Sequence, residues 1–323
     1  MEDIKIVTMG GGTGLSTMLR GLKKYTDNLT AVVTVSDNGG SSGILRRELD
    51  MLPPGDIRNC ILALAETEPI MEKVFQYRFT EGSLNGQNLG NLFLAALNGI
   101  FGSFEQAIEK TSEVLAVKGK VLPVTIEKVG LCALYEDNDI VEGECEIVQT
   151  CKNERKRIKD VWLKPMNPKP YYKVIEAINK ADIMVLGPGS LYTSIIPNLL
   201  VNGISEAIRQ SKPTFIYISN IMTQPGETDN YNLMDHVNVI EKYLGKDIID
   251  YIIVNNQDIP KDILKLYIED DAIPVTYNKE KLKDKNIKVI ETPLLKILKE
   301  TTLIRHNSDK LAEVIVSIVK NLH

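Results

Sequence analysis

Short apolar segments alternate with amphipathic segments along most of the chain. The apolar segments are rich in β-branched residues, which is typical of strands buried in a parallel sheet, and they are Ile4–Thr8, Ala31–Ser36, Ile183–Leu186, Phe215–Ser219 and Ile249–Val254. Apolar residues spaced by three and four predict helices over Leu15–Tyr25, Ile57–Glu66, Leu89–Asn98, Tyr172–Lys180, Leu199–Gln210, Leu233–Leu244 and Asp309–Leu322. This alternation predicts an α/β fold with a doubly wound, mostly parallel sheet and helices on both faces.

One part of the chain interrupts the alternation. Val121–Ile126 and Val129–Val148 contain strand-like stretches around the polar turn at residues 136–139, which predicts a small antiparallel hairpin. We therefore expect a single α/β domain over residues 1–323, with a hairpin insertion or subdomain over residues 121–160. The basic run from Lys152 to Lys159 is interpreted as a solvated connector.

The composition is that of a globular protein and narrows the classes of partner. The 323 residues are 43% hydrophobic and 25% charged, and the formal net charge is −5. This charge argues against broad binding of nucleic acid, although a small anion can still bind in one pocket. The four cysteines form no Cys-x-x-Cys pair and histidine is scarce, which argues against structural zinc. Without a signal peptide or an apolar run of the ~18 residues that a membrane span needs, we expect a cytoplasmic protein.

A glycine-rich turn follows the first predicted strand. Residues 4–16 are IKIVTMGGGTGLS, and the helical pattern begins at Leu15. A strand, a glycine turn and a helix start in this order direct backbone N–H groups and the positive helix end at an anion. The sequence therefore predicts a phosphate site, most simply within a nucleotide, formed by Gly11, Gly12, Thr13, Gly14 and Ser16.

The spacing of these glycines matches neither common nucleotide-binding fingerprint. A dinucleotide motif that begins at Gly10 requires glycine at the position of Leu15, and a P-loop requires lysine after Gly14. A tight turn that binds no ligand is the alternative interpretation. The place of the turn after the first strand favours phosphate binding.

The second predicted strand ends in a loop rich in serine and glycine, residues 36–43. Asp37 lies at the tip of the strand, where a carboxylate can hold a ribose hydroxyl, a divalent cation or a substrate amine. The alternative is a long turn in which Asp37 caps a helix. The candidate ligand-binding residues of this loop are Asp37, Asn38, Gly39, Ser41 and Ser42.

Two further helix starts carry polar residues. Asp56 is placed as an N-cap and is also a candidate ligand-binding residue. Arg58 near the helix start is a candidate phosphate ligand or, alternatively, an exposed arginine. Asn88 and Asn91, three residues apart, share one helix face and can contact a base or a sugar. Capping explains only one or two of the amides in this segment.

The second half repeats the arrangement of strand, glycine turn and helix start at residues 186–194. A second such turn in one sheet indicates a second anion contact, with the candidates Gly187, Gly189, Ser190 and Tyr192. The strand that ends near residue 219 leads into a polar loop with the candidates Asn220 and Thr223. His236 is interpreted as a core or capping residue, and no metal cluster or catalytic triad is evident around it or His306.

In combination, these motifs resemble the YvcK/CofD family. The matching stretches, which run through most of the chain in one order, are GGGTGLS (10–16), DNGGSSG (37–43), PPGDIRNCILALAE (53–66), NLGNLFLAAL (88–97), LGPGSLYTSIIPNLL (186–200) and SNIMTQPGET (219–228). The pattern is most similar to the YvcK branch, the gluconeogenesis factors, which also has the Arg305-His306 segment.

The resemblance implies a modified Rossmann-like fold and a cytoplasmic bacterial protein needed for cell shape and for growth on gluconeogenic carbon sources. It implies binding of a UDP-sugar such as UDP-N-acetylglucosamine, with Tyr267 and Arg305 as ligand contacts and Ser308 at the place of a phosphorylatable hydroxyl. A regulated cell-wall precursor enzyme and a second copy of the chain are the candidate protein partners.

The other branch of the family implies an enzyme. It transfers phospholactate from a guanine-nucleotide-activated donor to a deazaflavin precursor with a divalent metal, so that Asp37 is a candidate metal ligand or base and Mg²⁺ a candidate cofactor. Asn38 and Gln87 stand where the family usually has Asp and His, and an amide is a weaker Mg²⁺ ligand than a carboxylate. We rank the nucleotide-sugar sensor first, the transferase second and an NAD-binding protein third.

Overall fold

The computed structural model describes residues 4–298 and 300–320, which contain three sheets. The strands are β1 (Ile6–Gly10), β2 (Leu29–Val33), β3 (Lys120–Pro123), β4 (Gly130–Tyr135), β5 (Ile140–Glu142), β6 (Ile158–Lys164), β7 (Ile183–Leu186), β8 (Thr214–Ile218), β9 (Tyr251–Asn255), β10 (Lys288–Thr292), β11 (Leu295–Ile297) and β12 (Ile304–His306).

The central sheet has seven strands in the order β10-β9-β8-β7-β1-β2-β3, and every neighbouring pair is parallel. The chain builds outward from β1 in one direction through β3 and from β7 in the other through β10. The strand order therefore reverses between β1 and β7, where Ile6 pairs with Ile183. In open α/β sheets, ligands bind beyond the carboxyl ends of the strands at this reversal.

Helices cover both faces of the sheet, which confirms the doubly wound α/β fold. They are α1 (Gly12–Leu22), α2 (Gly40–Glu48), α3 (Gly55–Leu64), α4 (Pro69–Gln76), α5 (Leu89–Phe101), α6 (Phe104–Val114), α7 (Glu144–Glu154), α8 (Tyr172–Asn179), α9 (Ile196–Leu199), α10 (Ile204–Ser211), α11 (Leu233–Leu244), α12 (Lys261–Glu269), α13 (Lys279–Lys283) and α14 (Ser308–Lys320). On one face α1 packs between α3 and α14, and elsewhere α10 packs between α8 and α11.

Burial explains why the central strands form where they do. All five residues of β1 and all four of β7 are buried, because helices cover both sides of these strands. Strand β1 is shifted by two residues from its predicted position, toward Gly10. Strand β2 begins two residues before its predicted start, at Leu29, and ends three residues before its predicted end. The predicted helix at residues 199–210 is wrong as one element, since Gly203 has φ 79° and separates α9 from α10. Residues 321 and 322 of the last predicted helix lie outside the described residues.

The antiparallel element differs in composition from the sequence prediction. Lys120–Pro123 pairs in parallel with β2 and belongs to the central sheet, so the assignment of residues 121–126 to the hairpin is wrong. β4 and β5 do form a hairpin, and β6 joins β4 on its other side. Residues 144–148 are helical instead of extended, because α7 connects β5 to β6. The basic run at residues 152–159 is therefore shared between the end of α7 and the start of β6.

A second apolar cluster lies beside the main core. It joins the segment after β8 to α12 and to the β11–β12 hairpin, in which Lys296 pairs with Arg305. Its buried members are Ile221, Met222, Ile263, Ala272, Leu295 and Ile304. This cluster fixes a C-terminal segment against the carboxyl ends of the central strands, which is where a ligand is expected.

Candidate functional site

A cleft of about 450 Å³ opens at the carboxyl ends of β1, β7 and β8. We call it the glycine cleft. One of its walls is the turn before α1, another is the turn after β7, and a third comes from the second apolar cluster and β12. Ten of the predicted site residues line it, namely Gly11, Gly12, Thr13, Gly14, Gly189, Ser190, Asn220, Thr223, Tyr267 and Arg305.

The two glycine turns touch each other inside this cleft. A Cβ placed on Gly14 would lie 2.3 Å from the carbonyl oxygen of Pro188, so only glycine lets the start of α1 approach the second turn. Gly12 has φ +63°, a left-handed conformation that also favours glycine. Ser16 is buried behind the turn, and its hydroxyl donates to the carbonyl of Thr13 at 3.0 Å. Ser16 therefore stabilises the turn from behind.

Asp56 lies beneath the first turn. Its carboxylate accepts a hydrogen bond from the backbone N–H of Gly12, and a Cβ on Gly11 would come within 2.8 Å of its Oδ2. Burial, with a smaller contribution from the charge of Asp37, raises the pKa of Asp56 to about 6. The start of α1 therefore already has one carboxylate of the chain bonded to it, on the side away from the open cleft.

The loop after β2 is held by its own side chains. Asp37 Oδ1 accepts a hydrogen bond from the N–H of Gly39 at 2.8 Å, and Ser42 Oγ accepts one from Gly55 at 3.1 Å. Asn38 reaches the antiparallel subdomain. Its Nδ2 donates to the carboxylate of Glu146 at 2.6 Å, and its Oδ1 accepts from the backbone N–H of Cys145 at 3.0 Å. Asn38 thus caps α7 and ties the subdomain to the central sheet.

Four carboxylates come near one another in this region. Burial and the charges of Asp37, Asp56 and Glu227 raise the pKa of Glu144, at the start of α7, well above its usual value. Neither Glu144 nor Glu227 was singled out in the sequence, because only the fold brings them near the two turns. Within residues 4–298 and 300–320, no three His, Cys, Asp or Glu side chains are grouped so as to hold a metal ion.

The predicted amide cluster is an internal hydrogen-bond network. Ser41 Oγ donates to Gln87 Oε1 at 2.7 Å and accepts from Asn91 Nδ2 at 3.2 Å. Asn88 Oδ1 accepts from the N–H of Asn91 at 3.0 Å, which caps α5, and Arg58 Nη1 donates to Asn91 Oδ1 at 3.0 Å. These side chains lie outside the glycine cleft and connect α2, α3 and α5. Burial lowers the pKa of Arg58 to about 10.

The second glycine turn is also bonded to a carboxylate of the chain. Glu227 is buried and accepts hydrogen bonds from the N–H of Tyr192 at 3.2 Å and from the hydroxyl of Thr193 at 3.1 Å. Burial raises the pKa of Glu227 to about 7. Tyr192 itself is buried behind the cleft with its hydroxyl 3.0 Å from that of Tyr231.

Asn220 holds the backbone of the second turn. Its Nδ2 donates to the carbonyl of Gly189 at 2.9 Å, and its Oδ1 accepts from the N–H of Gly189 at 3.3 Å. Gln224 Nε2 donates to Ser190 Oγ at 2.6 Å. Thr223 Oγ1 accepts from the N–H of Ile273 at 2.9 Å, which attaches the wall of the cleft to the segment after α12. Gly187, with φ +78°, lies at the base of this turn outside the cleft lining.

Arg305 brings a guanidinium group to the glycine cleft. Its Nη1 donates to the carbonyl of Ile304 at 2.8 Å, while its Nε is buried and has no acceptor among the described residues. The hydroxyl of Tyr267 accepts a hydrogen bond from the N–H of Ile304 at 2.7 Å. Tyr267 therefore holds the strand that carries Arg305.

His306 is the other polar residue of β12. It is buried, and its Nε2 lies 3.0 Å from the carbonyl oxygen of Ser219. Burial lowers the pKa of His306 to about 4, so the neutral imidazole donates to this carbonyl. His236 is buried in α11 with Nδ1 3.0 Å from the carbonyl of Asn232, which agrees with the predicted core role.

One residue of the basic run lines the cleft, and the candidate phosphorylation site lies outside it. Lys152, at the end of α7, lines the cleft, although the sequence pattern suggested only a solvated connector. Ser308 is the first residue of α14, outside the cleft. Its carbonyl packs so closely against Gly21 of α1 that a Cβ on Gly21 would lie 2.1 Å from the carbonyl oxygen.

No helix in the described ranges combines the length and the apolar character that crossing a lipid bilayer requires.

Comparison with known proteins gives one consistent result. The family model described as 2-phospho-L-lactate transferase CofD matches residues 6–295. A relative from Thermoanaerobacterium thermosulfurigenes is 54% identical over 316 residues, which cover 98% of this chain and 97% of that protein. A relative from Bacillus subtilis, named gluconeogenesis factor, is 45% identical over 317 residues and covers 98% of both chains.

A solved structure extends this similarity to the fold. The crystal structure of a UPF0052 family member from Bacillus halodurans superposes with a TM-score of 0.92 at 46% identity, covering 98% of this chain and 99% of that one. The family model covers both glycine turns, and the two relatives and this superposition each cover 98% of the chain. The chain therefore belongs to the CofD family, in the branch of the gluconeogenesis factors.

Proposed function

We propose that this chain binds a nucleotide-sugar, of the UDP-N-acetylglucosamine type, in the glycine cleft and acts as a regulatory binding protein. The single observation that carries the proposal is the guanidinium of Arg305, whose buried Nε has no acceptor among the described residues. A buried donor without an acceptor is costly, and a phosphate oxygen is a strong partner for a guanidinium. The family resemblance supplies the uridine and sugar parts of the ligand.

In this proposal the diphosphate lies on the open side of the first turn. The first N–H groups of a helix have no acceptor within the helix. The N–H of Gly12 is bonded to Asp56, so the N–H groups of Thr13 and Gly14 donate to the phosphates. Arg305 and Lys152 supply positive charge from the other walls. The volume of about 450 Å³ falls within the usual range for small-ligand sites, roughly 300–1,000 Å³.

The relatives named gluconeogenesis factor support the biological role that we propose, and the family resemblance supplies its details. In that role the protein acts in the cytoplasm and supports cell shape and growth on gluconeogenic carbon sources. Binding of the nucleotide-sugar changes a surface that regulates an enzyme of cell-wall precursor synthesis. The protein itself performs no chemical reaction in this proposal.

The test is calorimetric titration of the full chain with UDP-N-acetylglucosamine. We expect binding that weakens about tenfold or more in Arg305→Ala, because one charge-assisted hydrogen bond contributes roughly 1.5–3 kcal/mol. Arg305→Lys keeps the charge but loses the planar fork, so we expect an intermediate loss. Arg47→Ala, at an exposed position on α2, is the matched control and should bind like the original chain.

The same titration with GDP, NAD and inorganic phosphate separates the competing ligands. Equal affinity for inorganic phosphate and the UDP-sugar would contradict a nucleotide-sugar site, and tighter binding of NAD would favour the dinucleotide alternative. Equal affinity of Arg305→Ala and the original chain would remove the observation on which the proposal depends.

The second candidate is a transferase that moves a phospholactyl group, which the matching family model favours. Mg²⁺ is commonly bound by one or two carboxylates together with substrate phosphates and water. Asp37 and Asp56 fit this mode, because Asp37 lies close enough for its charge to raise the pKa of Asp56 beside the first glycine turn. When bound, the metal would neutralise phosphate charge. Asp37 would hold the metal, and Arg305 would orient the phospholactate donor.

Mass spectrometry distinguishes this candidate from the sensor. The chain is incubated with Mg²⁺ and a guanine-nucleotide-activated phospholactate, with a deazaflavin precursor as acceptor. A phospholactylated product that disappears in Asp37→Asn would favour the transferase. An unchanged mixture, together with tight binding of the UDP-sugar, would favour the sensor.

A further inference from the structure

The second glycine turn has a buried carboxylate behind it. Glu227 is 7% exposed, and residues 191–199, directly after the turn, are helical. The carboxylate accepts hydrogen bonds from the backbone N–H groups of Tyr192 and Thr193 and from the hydroxyls of Ser190 and Thr193. The helix start at this turn is therefore bound by an anion of the chain itself.

The backbone donors of this turn are largely used within the chain. One N–H is bonded to Asn220, two are bonded to Glu227, and two are bonded to the carbonyl of Ser190. They are the N–H groups of Gly189, Tyr192, Thr193, Ser194 and Ile195. What this turn offers to the cleft is therefore acceptor oxygens, such as the carbonyl of Pro188 and the hydroxyl of Ser190.

The charges around the glycine cleft are divided between its walls. Arg305 and Lys152 line the cleft on the walls that β12 and the end of α7 form. Glu227 lies behind the wall that the second turn forms, and its charge contributes to the raised pKa of Glu144 at the start of α7. The cleft is therefore positive on the walls of Arg305 and Lys152 and negative behind the second turn.

The two glycine turns touch where Gly14 approaches Pro188, so a group attached to a diphosphate on the first turn lies beside the second turn. We propose that Glu227 is a specificity-determining residue that makes the glycine cleft favour nucleotide-sugars with an uncharged sugar over those with an acidic sugar. This inference deepens the proposed nucleotide-sugar site and rests on it. Sugar hydroxyls donate to the oxygens of the second turn, whereas an ionised acid on the sugar can only accept and is repelled by Glu227.

The test compares UDP-glucose with UDP-glucuronate, which carries a carboxylate in place of the CH₂OH group of the sugar. The full chain is titrated calorimetrically at pH 8, where Glu227 is ionised because burial raises its pKa only to about 7. We expect the original chain to bind UDP-glucose about tenfold or more tightly than UDP-glucuronate, since like charges repel strongly beside a buried carboxylate. Glu227→Gln should bring the two affinities close together by strengthening the binding of UDP-glucuronate.

Two further variants complete the test. Gln224→Glu adds a carboxylate beside Ser190, to which Gln224 Nε2 donates at 2.6 Å, so the preference for UDP-glucose should increase. This variant gives an answer even where Glu227→Gln does not fold, which thermal unfolding by circular dichroism detects. Glu206→Gln, at an exposed position on α10, is the matched control and should keep the affinity ratio of the original chain.

The outcomes separate this inference from the proposed function. When UDP-N-acetylglucosamine binds to the original chain but the affinity ratio is the same in folded Glu227→Gln, the specificity role is overturned and the nucleotide-sugar site stands. A preference of the original chain for UDP-glucuronate, or an unchanged ratio in Gln224→Glu, would also overturn it. A chain that binds none of the three UDP-sugars would contradict the proposed function itself, and this inference with it.

Discussion

The carboxylate of Glu227 accepts the backbone N–H of Tyr192 at 3.2 Å and so occupies the helix end that follows the second glycine turn. The sequence pattern at this turn suggested a second phosphate contact. The structure places an acidic side chain of the chain itself at this helix start, bonded also to Thr193. This contact leads to the first prediction, because the carboxylate is buried and its pKa is raised to about 7.

We expect Glu227→Gln to flatten the dependence of stability on pH between about 5 and 7. The pKa of Glu227 is raised in the folded state, so its contribution to stability is fully present below the ordinary value of 4.5 and is lost as pH rises through about 7. The loss amounts to roughly 3 kcal/mol, which the uncharged glutamine avoids. Urea unfolding at pH 5 and pH 8 measures it. Equal pH dependence in both proteins would contradict the assignment.

His306 should act in the opposite direction. Its pKa is lowered from 6.5 to about 4 in the folded state, so its contribution to stability is present above pH 6.5 and is lost as pH falls toward 4. His306→Gln keeps a donor for the carbonyl of Ser219 but cannot take up a proton. We therefore expect the variant to lose less stability than the original chain between pH 7 and pH 4.5, in the same urea measurement. A larger loss in the variant would show that the imidazole does not titrate as described.

Gly14→Ala should disrupt the contact between the two glycine turns. The added methyl group would lie 2.3 Å from the carbonyl oxygen of Pro188, and a backbone atom cannot rotate away as a flexible side chain can. We expect a loss of about 3 kcal/mol in the free energy of unfolding. Gly10→Ala is the matched control, since its nearest neighbour, Leu15 Cβ, would be at 3.8 Å. A similar loss in both variants would contradict the close approach.

Tyr267→Phe tests whether this residue acts by positioning Arg305. The hydroxyl accepts the N–H of Ile304, so its removal should cost about 1 kcal/mol of stability. If it only positions the strand, affinity for the UDP-sugar should fall in Tyr267→Phe but not further when Arg305→Ala is already present. Calorimetry on the two single variants and the double variant measures this coupling. Additive losses would instead indicate a direct contact of the tyrosine with the ligand.

The fold was predictable from the sequence where burial dictates the pattern. Strands such as Ile183–Leu186 are covered on both faces, so their continuous apolar character is visible without the structure. β10 was missed because it lies at the edge of the sheet and its residues are only half-buried or exposed. β3 was misassigned because nothing local distinguishes an edge strand of the central sheet from a strand of a hairpin.

The candidate site was predictable in its backbone and less so in its side chains. The glycines indicate a turn, because the backbone at Gly12 has a left-handed φ and Gly14 has no room for a Cβ. Both requirements are visible in the residue type itself. The partners of Asn91 and Asn38 could not be deduced, since these amides bond to residues 50 and 107 positions away. For the same reason, Lys152 gave no signal beyond its place in a basic run.

The sequence by itself determined the alternation of strands and helices, both glycine turns and the family. Each of these depends on the local spacing of residues or on the order of motifs along the chain. Only the tertiary structure decided which carboxylates of the chain bond to those turns. Asp56 and Glu227 come from distant segments and bond to the two helix starts, while Arg305 is brought to the open side by β12. Such pairings depend on distances across the fold, and linear spacing does not encode them.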